Sequence, residues 1–152
     1  MFVFKFHYIY NKHNEDCEML DIQLTPNFNI YEFRSNIPNR STFPVEDVPE
    51  ELFDNVQELA ENLQILSDHI DNQPIKVLSG YRSPAYNQVV GGAKNSQHLY
   101  ARAADIIIPH LSPKKVHSLI SELIKQGLMK DGGLGKYPGF THYDVRDYSA
   151  RW

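Results

Sequence analysis

The sequence predicts an α+β domain, and three observations carry that expectation. One long stretch repeats its apolar residues with helical spacing, two Ser-Pro dipeptides each open a further helical run that closes at glycine, and short apolar runs of strand length lie between them. Helices and strands intermix without the regular alternation of a doubly wound sheet, which favours a small antiparallel sheet with helices packed on it.

At the start of the chain Phe2, Phe4, Phe6, Tyr8 and Tyr10 recur at a period of two and predict a strand packed on one face. Asn11 to Asp16 is polar and reads as a loop, and Asp21 to Phe33 as a short extended piece with a helical turn around Ile30 to Phe33. The strongest helix runs from about Pro49 to Ile70, where Leu52, Val56, Leu59, Leu63, Leu66 and Ile70 form one buried seam. Asp47 with Glu50 and Glu51 suits its N-terminus and dipole. A short helix is expected from Ser83-Pro84 to Gly91-Gly92. Another is expected from Ser112-Pro113 to near Gly127, burying Val116, Leu119, Ile120, Leu123 and Ile124. Ile75 to Leu78, Ala104 to Ile108 and Phe140 to Val145 read as strands, the last preceded by a glycine-rich turn at Gly132-Gly133-Leu134-Gly135.

The 152 residues suffice for one domain with a single core, and no repeat or inter-domain linker divides them. Apolar content of 41% and charged content of 22% are those of a globular protein, excluding extensive disorder and membrane spans. The net charge of −4 and the absence of any basic run argue against nucleic-acid binding. Cys17 is the only cysteine, so an intrachain disulfide and a thiolate-rich metal site are both excluded, and a metal would have to sit on histidine and carboxylate. Met1 to Tyr10 carries Lys5 and His7 with no small-residue cleavage site after it, and is read as neither signal peptide nor spanning helix.

Of the seven histidines, His7, His13, His69, His110 and His117 sit where an ordinary solvated or hydrogen-bonded imidazole is expected. His98 and His142 differ in their surroundings. Asp105 follows His98 by seven residues, at the mouth of the apolar strand Ile106-Ile107-Ile108. A carboxylate there is costly unless it is paired or coordinated, which asks for a cation; capping of nearby backbone amides is the alternative. His142, Asp144 and Arg146 alternate along a strand and share one face, which is either a site or a solvated sheet surface. Two histidines, one carboxylate and no evident fourth ligand make a catalytic rather than a structural zinc set.

These residues resemble a known family. Ser96-x-His98-x6-Asp105 is similar to the SxHxxxxAxD signature of the zinc D-alanyl-D-alanine peptidases, which include wall-lytic carboxypeptidases and phage endolysins of the hedgehog/DD-peptidase fold. Ser79-Gly80-Tyr81-Arg82-Ser83-Pro84, Asn87, Val90-Gly91-Gly92-Ala93, Gly133-x-Gly135-x-Tyr137 and His142-x-Asp144-x-Arg146 follow the family in the same order, so that the resemblance runs from Asn27 to Arg146. It implies that His98, Asp105 and His142 bind Zn2+, that Arg82 stabilises negative charge on the scissile carbonyl, and that Ser96 hydrogen-bonds substrate. The implied substrate is a peptide of bacterial peptidoglycan. The expected setting is the cell wall, reached without a signal peptide through a phage, a virion or host lysis, by a monomer with no nucleic-acid or membrane partner. A non-catalytic zinc-containing wall-binding or virion module is the alternative.

Two positions depart from the family. Ala101 replaces a usual glycine. Gly139 and Phe140 stand where several relatives carry the general base, two or three residues before the last zinc histidine. That leaves Asp144 as the carboxylate expected to accept the water's proton, or else to orient a ligand imidazole.

Overall fold

The computed structural model of the chain describes residues 20–35 and 43–152. The expected aromatic strand from Phe2 to Tyr10, the following polar loop and Cys17 lie outside the described residues.

Strands β1 (Gln23–Thr25) and β2 (Phe28–Asn29) form a small hairpin that runs into a 3-10 turn at Ile30–Phe33. Asn29 opens the turn with a capping box, accepting from the Tyr31 N–H while the Glu32 carboxylate accepts from the Asn29 N–H. The expected mixture of extended chain and helical turn is therefore present, and it buries Phe28, Ile30 and Phe33.

A 3-10 turn at Glu50–Leu52 leads into α1 (Phe53–His69). Its seam is the expected one, with Val56, Leu59, Leu63 and Leu66 fully buried. The start differs from expectation. Asp47 does not cap the helix; its carboxylate accepts the Leu20 N–H at 3.1 Å, and Pro49 stands before the turn with no side-chain cap. Helices α2 (Pro84–Val89) and α3 (Pro113–Lys125) begin as the Ser-Pro pairs predict, with Ser83 and Ser112 accepting from the N–H groups of Tyr86 and Lys115.

The main sheet contains β3 (Lys76–Ser79), β4 (Ala103–Ile107), β5 (Gly133–Lys136), β6 (Thr141–Asp144) and β7 (Ala150–Arg151), in the order β3-β4-β6-β5-β7. Every pairing is antiparallel except β5 with β7. Two expectations are corrected here. Gly133 to Lys136 is a strand rather than a turn, and β7 was not foreseen from the sequence.

Register makes the sheet two-faced. Ser79 pairs with Asp105, Asp105 with His142 and His142 with Gly135, so one row of polar residues crosses four strands on the same side. The next row on that side joins Ala103, Asp144 and Gly133. The alternate residues, Ala104, Ile106, Tyr143 and Leu134, belong to the core that also holds the α1 seam and Val116, Ile120 and Leu123 of α3. The helix-backed sheet thus carries Asp105, His142 and Asp144 on the face opposite this core.

Candidate metal centre

His98 lies in a 3-10 turn, Gln97–Tyr100, that Ser96 opens by accepting the His98 N–H on its hydroxyl at 3.3 Å. Ala101 closes the turn in the left-handed region, φ +53° and ψ 30°, and redirects the chain into β4. A Cβ in this conformation costs about 1–2 kcal/mol, a physical reason for the glycine expected here from the family pattern. The turn and the first residues of β4 bring His98 beside Asp105, while β6 supplies His142 from the adjacent strand.

The three side chains converge, with one potential ligand atom from each lying within 4.8 Å of the others, and all three residues are buried. Their outer contacts decide which atoms face inward. His98 Nδ1 lies 2.7 Å from the Gly80 carbonyl oxygen, and His142 Nε2 lies 2.7 Å from Asp144 Oδ2. Both partners can only accept, so each imidazole donates on that side and, when neutral, keeps a lone pair on the other nitrogen. Those lone pairs, on His98 Nε2 and His142 Nδ1, stand 3.3 and 2.9 Å from Asp105 Oδ1. Three acceptors meeting at one point require a cation or an additional proton between them. Two imidazole nitrogens and a carboxylate oxygen suit zinc better than calcium or magnesium, and the three-ligand set fits an open, catalytic coordination.

The electrostatics follow the same geometry. Burial pushes the Asp105 carboxyl up, but hydrogen bonds with His142 and His98 outweigh it and hold the group well below the usual carboxylate range. Burial lowers His98, only partly offset by Asp105, and so favours its neutral, ligating form. Burial would also lower His142, yet Asp105 on one nitrogen and Asp144 on the other raise it above 6.5. Of the two imidazoles, His142 is the one whose surroundings favour the protonated form.

Arg82 stands at the edge of this group. Its Nε donates to Ser79 Oγ at 3.0 Å and its Nη2 to Asp105 Oδ2 at 3.2 Å, while Nη1 reaches Asn87 Oδ1 at 3.5 Å. Burial lowers its pKa and the Asp105 charge works in the opposite direction. Arg82, Ser96, His98, Asp105 and His142 all line one cavity of about 530 Å³, completed by Val90 to Ala93, Tyr137, Phe140, Arg146 and Trp152.

Asp144 is placed differently from the expected base. It is fully buried, does not line the cavity, and contacts the ring nitrogen of His142 that faces away from Asp105. Its Oδ1 accepts from the Gly133 N–H, the Arg146 N–H and Arg146 Nε, and its Oδ2 accepts from Arg146 Nη2. Burial alone would raise this carboxyl, but Arg146 and His142 keep it strongly lowered. Both oxygens are fully engaged by these donors.

Among the described histidines, His69, His110 and His117 do not join the group, as expected. Tyr137 lines the cavity, whereas Tyr81 is buried in the core and Tyr100 is exposed away from the cavity. Sequence reasoning missed the Gly80 carbonyl, the holding roles of Ser79 and Asn87, and Trp152. A backbone acceptor leaves no trace in side-chain pattern, and Trp152 followed no motif that had been weighed.

A buried two-histidine, one-carboxylate group beside an arginine, open to a groove, could hold a metal ion of the kind that metal-dependent hydrolases use. The chain belongs to the peptidase M15 family, whose match extends over residues 26–144. It is also similar to the zinc D-Ala-D-Ala carboxypeptidase of Streptomyces albus G, being 46% identical over 44 residues. That alignment covers 29% of this chain and 17% of the Streptomyces protein.

Proposed function

We propose that this M15 peptidase is zinc-dependent and hydrolyses peptide bonds in bacterial peptidoglycan, in stem peptides or cross-links, acting at the cell wall. The observation that carries the reading is the convergence of His98 Nε2, Asp105 Oδ1 and His142 Nδ1 beside Arg82 in an open groove. The D-Ala-D-Ala specificity in the name of the Streptomyces relative supports the substrate class.

In this reading His98, Asp105 and His142 hold the zinc, which when bound polarises the scissile carbonyl and makes the attacking water more acidic. Arg82, fixed by Ser79 and Asp105, stabilises the negative charge that develops on the carbonyl oxygen. Ser96, at the cavity wall, hydrogen-bonds the peptide. Asp144 acts through His142 as a positioning residue: it holds the ring and its tautomer so that Nδ1 faces inward.

One observation favours a second reading, a wall-binding module that keeps the metal without hydrolysis. The acid-base groups among the described cavity residues, apart from the three ligands, are Arg82, Arg146 and Tyr137, and Gly139 and Phe140 supply no carboxylate. Digestion of purified peptidoglycan with mass analysis of the fragments separates the two. Hydrolysis expects new stem-peptide ends that disappear on chelation, and a binder would co-sediment with the wall and release nothing.

A further inference from the structure

Trp152 is the sole tryptophan of the chain, and five contacts fix it beside His142. Its N–H donates to the Leu134 carbonyl at 3.3 Å and its carbonyl accepts from the Lys136 N–H at 2.9 Å, which carries the β5–β7 ladder on to this residue. The indole Nε1–H donates to Tyr137 Oη at 2.6 Å, and Tyr137 in turn stacks on Phe140. The indole lies 5.0 Å from the His142 ring, centre to centre, and the Arg146 guanidinium carbon stands 5.3 Å from its centroid. Gly135 makes the room: a Cβ there would come within 2.5 Å of Nε1.

A residue so firmly held would be expected to be buried, yet Trp152 remains 46% exposed and lines the cavity. Rigid, half-exposed aromatic surface next to a reactive centre is characteristic of a binding wall, since little ordering entropy is lost when a ligand packs on it. The chemistry of the wall can also be read. The only indole donor is already used by Tyr137, so Trp152 offers apolar surface rather than a hydrogen bond. Arg82 and Arg146, both in the cavity lining, disfavour a cationic ligand on the ring.

We infer that Trp152 is the specificity-determining residue of the groove, packing against an aliphatic side chain next to the scissile bond. This rests on the peptidase reading above. Tyr137 and Gly135 are the positioning residues that seat the indole.

The test uses the zinc-loaded full chain, its Trp152→Phe and Trp152→Ala variants, and two synthetic peptides that differ only in alanine or glycine beside the scissile bond. The wild type should prefer the alanine peptide by about fourfold or more in kcat/KM, the value of one buried methyl group. Trp152→Ala should abolish that preference and raise KM on the order of tenfold with equal zinc content, while Trp152→Phe keeps most of the preference. An unchanged alanine-to-glycine ratio in Trp152→Ala, or lost zinc with unchanged KM, would overturn the inference and leave Trp152 a support for His142. A reading that needs no variant is the emission of the sole tryptophan as the alanine peptide is titrated in and binding is followed by calorimetry. A change that tracks binding supports the wall, and binding with silent emission overturns it. If the peptide neither binds nor is cleaved, the peptidase reading fails and the inference falls with it.

Discussion

Replacing Asp144 with asparagine tests how the centre is held together. The carboxylate accepts five hydrogen bonds, from the Gly133 N–H at 3.0 Å, the Arg146 N–H at 3.2 Å, Arg146 Nε at 2.7 Å, Arg146 Nη2 at 2.6 Å and His142 Nε2 at 2.7 Å. An amide keeps the shape but turns one acceptor into a donor. If its NH2 faces Oδ1's three donors, they lose their acceptor; if it faces His142, two N–H groups confront each other. The second conflict is relieved by moving the imidazole proton to Nδ1, which removes the lone pair from the metal side. Zinc affinity should therefore fall on the order of tenfold to a hundredfold. Loss of the charged partner should also cost about 2–3 kcal/mol of stability, less than for a fully buried pair because Arg146 retains some solvent. For a chain of this size that is a fall in Tm of about 5–10 °C. Competition against a chromogenic chelator gives the affinity, thermal unfolding gives the stability, and turnover at saturating zinc completes the comparison. Partial recovery of turnover with excess metal is expected. If zinc affinity stays within about twofold of wild type while turnover collapses and is not restored, Asp144 is the general base after all, and the positioning argument is refuted.

Arg82→Ala should keep its zinc and lose about a hundredfold or more in kcat, the scale for removing one oxyanion-stabilising donor; near-normal turnover would reduce Arg82 to a partner of Asp105. Gly133→Ala places a Cβ over the Asp144 carboxylate and should destabilise by about 1–3 kcal/mol while weakening zinc binding, measured by unfolding and chelator competition; a neutral outcome would mean that β5 can shift aside. The metal-free protein has a His142 raised above 6.5, so its proton must leave when zinc binds. Affinity should fall by about tenfold per pH unit as pH drops below that raised value. The same group gives the metal-free fold a stabilisation fully present below pH 6.5 and lost as pH rises through the folded value, so the increase in Tm on adding zinc should grow with pH. A pH-independent increase would contradict it.

The helices and most strands were readable because their determinants are local. The α1 seam, the two Ser-Pro starts and the apolar run after Asp105 each declare themselves within a short window. The convergence of His98, Asp105 and His142 was readable for another reason: a carboxylate opening an apolar strand and a histidine alternating with two charges are both costly unless something compensates them. What failed depended on contacts distant in sequence. Gly133-Leu134-Gly135 looked like a turn because glycine usually marks one, yet the residues pair with β6, and the two glycines leave room for Asp144 and Trp152, which occupy the space above them. Asp47 looked like a helix cap, but its carboxylate accepts the N–H of Leu20, distant in sequence, instead. Ala101 read only as a departure from the family, and its positive φ shows what the position demands.

The two aspartates of the site show how one residue type acquires opposite duties from register alone. Asp105 pairs with His142 across β4 and β6, so its Oδ1 meets two imidazole lone pairs and becomes a place for a cation. Asp144, two residues further along β6 and on the same face, pairs with Gly133 and lies under the Arg146 guanidinium, which takes up its charge and closes it to substrate. A shift of one residue between β4 and β6 would turn His142 to the core face and leave Asp105 without a partner. The core residues Ile106, Tyr143 and Leu134, which alternate with the polar row, therefore do more than stabilise the fold. Their burial fixes the register, and the register separates the carboxylate proposed to hold the metal from the one that holds the His142 ring.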